Sequence, residues 1–150
     1  MNTVLILHSL LRWLVLLFGL MTLVSALSGM SGKRNYTSGD NKVNLFFMIT
    51  CDIQLLLGLA LYFGRGWFES LKNIGLSNHE TRFFTMEHGM MMILAWILVH
   101  IGRVKVKKAA MTADKFKRSL IYFGLALILI LISIPWPFRE IARPLYEWFS

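Results

Sequence analysis

Apolar residues fall along the chain in four long runs, Val4–Met30, Val43–Phe63, Met86–Ile101 and Leu120–Pro135. Crossing the hydrocarbon layer of a bilayer takes about 20 largely apolar helical residues, with a range near 17–25. The third run is short by that measure unless it begins within Thr81–Thr85, where Phe83 and Phe84 suit an interface. Backbone polar groups in hydrocarbon must be satisfied inside the segment, so the runs predict helices. Barrel strands would be about half as long and would alternate. The predicted spans cover residues 4–30, 43–63, 83–102 and 119–136.

The polar stretches between the runs carry the expected punctuation. Gly32, Asn35, Ser38 and Gly39 break the chain after the first span, and Asp40 or Asn41 is placed to cap the second. Gly64-Arg65-Gly66 ends that span, with Trp67 and Phe68 at an interface and a short surface helix predicted around Phe68-Glu69-Ser70-Leu71-Lys72. Asn78 is a candidate cap for the third span, and Pro135 and Pro137 stop the fourth beside the anchoring Trp136. Loops this short favour an up-down four-helix transmembrane bundle, with helices one and three parallel and diagonal to each other. No soluble domain is foreseen: residues 1–150 read as one all-α membrane domain.

The composition agrees, at 56% hydrophobic against about 45–50% for soluble domains. Val24-Ser25-Ala26 resembles a signal-peptide cleavage site. The first run nevertheless has no preceding Lys or Arg and far exceeds the roughly 7–15 residues of a signal core, so it reads as a retained span. Cys51 is the only cysteine, which excludes an internal disulfide.

The formal charge of +8 raises nucleic acid as a partner, but its placement answers otherwise. Arg103, Lys105, Lys107, Lys108, Lys115, Lys117 and Arg118 face Asp114 alone in one segment, and Lys33, Arg34 and Lys42 occupy the first loop. The middle loop offsets Arg65, Lys72 and Arg82 with Glu69 and Glu80. Short basic loops stay cytoplasmic, which places both termini on the non-cytoplasmic side. Anionic headgroups, not nucleic acid, are the partners of such loops.

Ionisable residues inside spans are costly and mark candidate sites. Here they are His8, Arg12, Asp52, Glu87, His88 and His100, joined by the uncharged Gln54. At a rise of about 1.5 Å per residue, His8 and His88 each lie roughly 7–8 Å below the same entry surface. Two level imidazoles on diagonal helices are what a b-type haem needs. Gly89, and the face Gly19, Thr22 and Ala26, would leave room for a flat macrocycle, and Arg82 and Arg139 sit where propionates would want partners. The bland reading of each histidine is a hydrogen-bonded polar anchor.

Arg12 and Asp52 both fall near mid-bilayer and are expected to form an intramembrane ion pair, as a structural clamp or as a proton-relay or quinone site. Gln54 lies about 200° around the helix from Asp52, so the two cannot share a face. His100 is about 18 Å deeper than His88 with no level partner, which argues against a second haem and for an interface residue beside Arg103. The run Met90-Met91-Met92 points three ways and suits packing better than soft-metal binding.

The motifs His8-Ser9-Leu10-Leu11-Arg12-Trp13, Glu87-His88-Gly89-Met90-Met91 and Ile134-Pro135-Trp136-Pro137-Phe138-Arg139 resemble a family of small four-helix bacterial membrane proteins labelled "cytochrome b-like". The likeness runs nearly the whole length, including Gly39-Asp40-Asn41-Lys42 and Arg82-Phe83-Phe84. It implies haem b and a multi-pass place in the bacterial inner (cytoplasmic) membrane. The leading expectation is one haem, its iron held by His8 and His88, in an electron-transfer subunit of a larger membrane complex. The alternative is a cofactor-free accessory or scaffold subunit; a small proton- or ion-conducting protein built on Arg12 and Asp52 is a third. An electron-transfer or accessory role is favoured over a stand-alone enzyme.

Overall fold

A computed structural model describes residues 1–138, 140 and 141, and among them every regular element is helical. The helices are α1 (Asn2–Ser31), α2 (Ser38–Gly64), the short α3 (Trp67–Asn73), α4 (His79–Arg82), α5 (Gly89–Lys108) and α6 (Thr112–Ser133). A π-helical segment, Phe83–His88, joins α4 to α5, so that His79–Lys108 runs as one spanning helix. Four helices are thus long and apolar enough to cross a membrane, the make-up of a multi-pass membrane protein. Their outward faces are apolar too: Leu20, Leu56 and Ile128 are each more than half exposed. Helices hydrophobic all round suit surroundings as apolar as their own interior.

The helices close into a ring in which α1 packs on α2 and α6, and α5 on the same two. The first and third spans are therefore diagonal, as expected. Across the other diagonal, the fully buried Phe47 and Phe123 meet edge to face at 5.9 Å. Asn44 Nδ2 donates to Ser119 Oγ at 3.1 Å nearby, a buried link between α2 and α6. The small residues Gly19, Thr22 and Ala26 are buried in this packing, where a Cβ on Gly19 would lie 2.9 Å from Leu127 and 3.0 Å from Phe47. They seat helix on helix, and do not make room for a macrocycle.

Helix ends follow local chemistry. Thr37, not Asp40 or Asn41, caps α2: its hydroxyl accepts from Asp40 N at 3.3 Å while Asp40 Oδ2 accepts from Thr37 N at 2.7 Å. Asp40 is the reciprocal third residue of that capping box. It also takes both arms of Arg34, at 2.7 and 2.8 Å, and a bond from the Ser25 hydroxyl of α1. The adjoining carboxylate raises the Arg34 guanidinium above its ordinary value. Asn78 caps α4 as expected, its Oδ1 accepting from Thr81 N at 2.9 Å. The last helix stops at Ser133, two residues before Pro135, because Ile134 is forced extended (ψ 131°) by the proline that follows it. Trp136 then turns back, its indole N–H donating to the Leu131 carbonyl at 2.9 Å.

Candidate functional site

The two histidines singled out by depth meet at the end of the bundle that carries the N-terminus. Their rings lie 6.3 Å apart, centre to centre, with planes inclined at 68°. On one side, Gln54 of α2 donates to the His8 carbonyl at 3.0 Å and ties α2 to α1 at that level. One helical turn on, Gly58 faces the His8 ring, where a Cβ would stand 3.4 Å from Cε1. The buried Nδ1 of His8 has no hydrogen-bond partner among the described residues.

On the other side, His88 closes the π-helical segment, whose wider turn re-aims the side chains that follow it; such bulges concentrate at functional sites. Its Nδ1 lies 2.8 Å from the Ser133 carbonyl of α6. A carbonyl can only accept, so Nδ1 carries a proton, and in the neutral ring Nε2 keeps its lone pair. Metal-bound histidines are held in this way, by a second bond that fixes tautomer and ring orientation. Phe83 and Phe84 complete the enclosure, with ring centres 6.1 and 6.2 Å from that of His88.

Beside the pair opens a cavity of about 410 Å³ walled by α1, α2, the His79–Lys108 helix and the end of α6. Its size lies within the 300–1,000 Å³ usual for ligand sites. The walls are mainly apolar, with His8, Arg12, Gln54, Tyr62, Arg65 and His88 as convergent polar groups. Of the four neighbouring helix pairs, α2 and α5 pack most sparsely, which is where the space lies.

Other expected members of the site are placed elsewhere. Arg82 does not line the cavity; it is exposed and its Nε donates to Glu87 Oε1 at 3.1 Å, one turn along the same helix. Arg139 lies outside the described residues. Arg12 does line the cavity, and its guanidinium reaches Ser9 Oγ at 3.4 Å. Asp52 does not take Arg12 as its partner. Its Oδ1 accepts from Trp96 Nε1 at 2.6 Å and from His100 Nε2 at 2.7 Å. The reason is rotational: once Gln54 faces α1, Asp52 is turned to α5. His100 accordingly serves Asp52 and not Arg103, and Gln54 points into the bundle. The three methionines do diverge: Met90 is 58% exposed, Met91 Sδ accepts from the Ser133 hydroxyl at 3.0 Å, and Met92 packs on the core. His79 approaches the exposed Glu140 at 3.3 Å.

The Asp52–Trp96–His100 cluster makes a measurable prediction. Asp52→Ala leaves an indole N–H and an imidazole without their acceptor inside the span, an expected loss of about 1–3 kcal/mol. Thermal unfolding in lipid nanodiscs reads it, and Asp52→Asn, which keeps an acceptor oxygen, should lose less.

Among the described residues no three His, Cys, Asp or Glu come together as a metal cage. What is present is a pair of imidazoles, two nitrogen donors facing each other across the bundle. Tyr62, Arg65, Trp67 and Trp96 also line the cavity and were not foreseen. For Tyr62, Arg65 and Trp67 the one sequence signal, aromatic and charged residues bordering a span, reads equally well as interface anchoring, and Trp96, inside the third span, carries no such signal. Compared with protein-family models, with curated proteins and with solved structures, the chain finds no match in any of the three.

Proposed function

We propose that this chain is a small membrane cytochrome-like subunit that binds one haem b between His8 and His88 and passes electrons within a larger membrane complex. Supporting it is the meeting of two imidazoles from diagonal helices beside a cavity. Metal–nitrogen bonds of about 2.0–2.1 Å to one nitrogen of each ring would put the ring centres about 6–6.5 Å apart; they stand at 6.3 Å. An edge-to-face contact of two rings covers the same distance. The tautomer set by Ser133, the Nδ1 of His8 without a hydrogen-bond partner among the described residues, and the adjoining cavity support the ligand reading.

Haem supplies one-electron chemistry at a potential set by its axial ligands and surroundings. The chain's own part is to orient and to exclude water. Ser133 fixes the His88 ring, Gly58 keeps α2 clear of His8, and the apolar walls keep the site dry. Arg65, on the cavity wall, is the cation suited to a propionate in place of Arg82. The basic loops at the opposite end favour a cytoplasmic position for that end, which puts the histidines and both termini on the outer side of a bacterial inner membrane. The test is an absorption spectrum of detergent-purified protein, oxidised and then reduced with dithionite. A Soret band that shifts on reduction is expected; its absence after expression with ample haem overturns the reading.

One observation favours a second reading. The side chains of Asp52 and His100 are each 35% exposed partway along their spans. A polar pair that opens toward lipid is best covered by a neighbour, which suits a cofactor-free accessory subunit packed against partner helices. Stoichiometric co-purification after gentle extraction, without a Soret band, is the outcome that would establish it.

A further inference from the structure

At the opposite end of the bundle from the histidines, a cleft of about 350 Å³ forms where the α1–α2 loop and the start of α2 meet the end of α5 and the start of α6. Tyr36, Thr37, Ser38, Asn41, Lys107 and Lys115 line it. The two lysines come from different helices, and neither forms an ion pair with any described carboxylate. The Lys115 ammonium sits 5.3 Å from the centre of the Tyr36 ring. Tyr36 is fixed in turn by Asn44, which donates to its Oη at 2.9 Å and so leaves the phenolic hydrogen free to donate. Burial pushes the Tyr36 hydroxyl above its ordinary range, so it stays protonated and a donor.

A second, independent feature lies behind the cleft wall. Arg103 is 8% exposed, and its Nη1 donates to Asn41 Oδ1 at 2.7 Å and to the Asn41 carbonyl at 3.3 Å. Those oxygens are neutral, and no described carboxylate pairs with this guanidinium. The nearby acid, Asp40, has both oxygens engaged by Arg34, and Asp114 forms no ion pair among the described residues. A buried cation without a counter-ion is expensive. Lys107 and Lys115 on the lining, with Arg103 behind it on Asn41, therefore make a concave site that asks for an anion, with the Tyr36 and Ser38 hydroxyls as donors on its rim.

We propose that this cleft binds a phosphate oxyanion. Phosphate accepts several charge-assisted hydrogen bonds at once, which matches two ammoniums and the rim hydroxyls. The cleft lies at the ends of spanning helices, where headgroups sit, and basic pockets between such helices are sites for anionic lipids. A phosphate-bearing lipid is accordingly the expected source, and soluble phosphate is the other.

Delipidated protein in neutral detergent is titrated separately with phosphatidylglycerol, phosphatidylcholine and inorganic phosphate, with unfolding midpoint and retained lipid in native mass spectra as readouts. Phosphatidylglycerol should raise the midpoint and be retained, because a ligand of the folded state stabilises it by mass action; phosphatidylcholine should do neither. The double variant Lys107→Gln with Lys115→Gln should raise the half-saturating concentration about tenfold. Lys105→Gln with Lys117→Gln, the same change of charge outside the cleft, should leave it within about twofold. Inorganic phosphate that reproduces the shift with the same lysine dependence keeps the site and makes its ligand the free ion. Equal weakening by the two double variants, or equal stabilisation by the zwitterionic lipid, overturns the proposal.

Discussion

His88→Ala should abolish the Soret band that the two-imidazole reading expects, while His8→Ala should leave a weaker, altered one. The asymmetry follows from how the rings are held. His88 is locked by the Ser133 carbonyl at 2.8 Å and flanked by Phe83 and Phe84, so its Nε2 is pre-oriented. For a metal ligand, such outer bonds are worth about 10–100-fold in affinity. The ring of His8 has no such bond at Nδ1 among the described residues. On that reading its loss would remove one of two proposed ligands and leave the better-held one in place. Arg82→Gln, which breaks only the surface bond to Glu87, should leave the spectrum unchanged. Each variant needs a wild-type far-ultraviolet circular dichroism signal and a monodisperse profile for the comparison to count. A His88→Ala protein that keeps its spectrum would end the haem reading.

Gly29→Val should lower stability by about 2 kcal/mol, within the 1–3 typical of overpacking. On α1, Gly29 presses against the Phe116 ring of α6, so a Cβ there would overlap three ring atoms. The ring has no room to yield: it is 1% exposed, with Tyr36 at 5.3 Å and the Arg34 guanidinium 4.8 Å from its centre. Gly124→Ala is the matched control, since a Cβ at that position would meet only Leu23, at an ordinary 3.6 Å. Removing a helix-interior glycine there should stabilise by about 0.5–1 kcal/mol. Unfolding midpoints in nanodiscs should therefore move in opposite directions. A Gly29→Val midpoint at or above wild type would mean that α1 and α6 do not approach as closely as described.

The buried polar residues show how far residue order carries. His8 and His88 could be matched because depth along a helix is a simple product of rise and count, and both helices start near the same end. Arg12 and Asp52 were matched by the same depth argument, and there it misled. Depth says nothing of rotation, and the bond from Gln54 to the His8 carbonyl turns Asp52 toward Trp96 and His100. Arg82 was placed by its nearness to an interface, yet a carboxylate five residues along its own helix holds it. Thr37 was passed over as the α2 cap because Asp40 and Asn41 are equally good capping residues. Only the reciprocal bonds between Thr37 and Asp40 decide among them.

Residue order alone was enough for the four spans, the short helix after the second, the stop before Pro135 and the diagonal relation of the first and third spans. Those features follow from apolar run length, loop length and proline geometry, which are local or one-dimensional. The π-helical turn that delivers His88 to Ser133, the partner of Asp52, the cavity wall that includes Arg65 and Trp96, and the Arg103 that no described carboxylate neutralises behind the lysine-lined cleft came only from three dimensions. Each depends on the rotation of one helix about its axis relative to another. In a chain whose helices are apolar on nearly every face, the hydrophobic pattern cannot set that angle; side-chain packing and a few buried hydrogen bonds do.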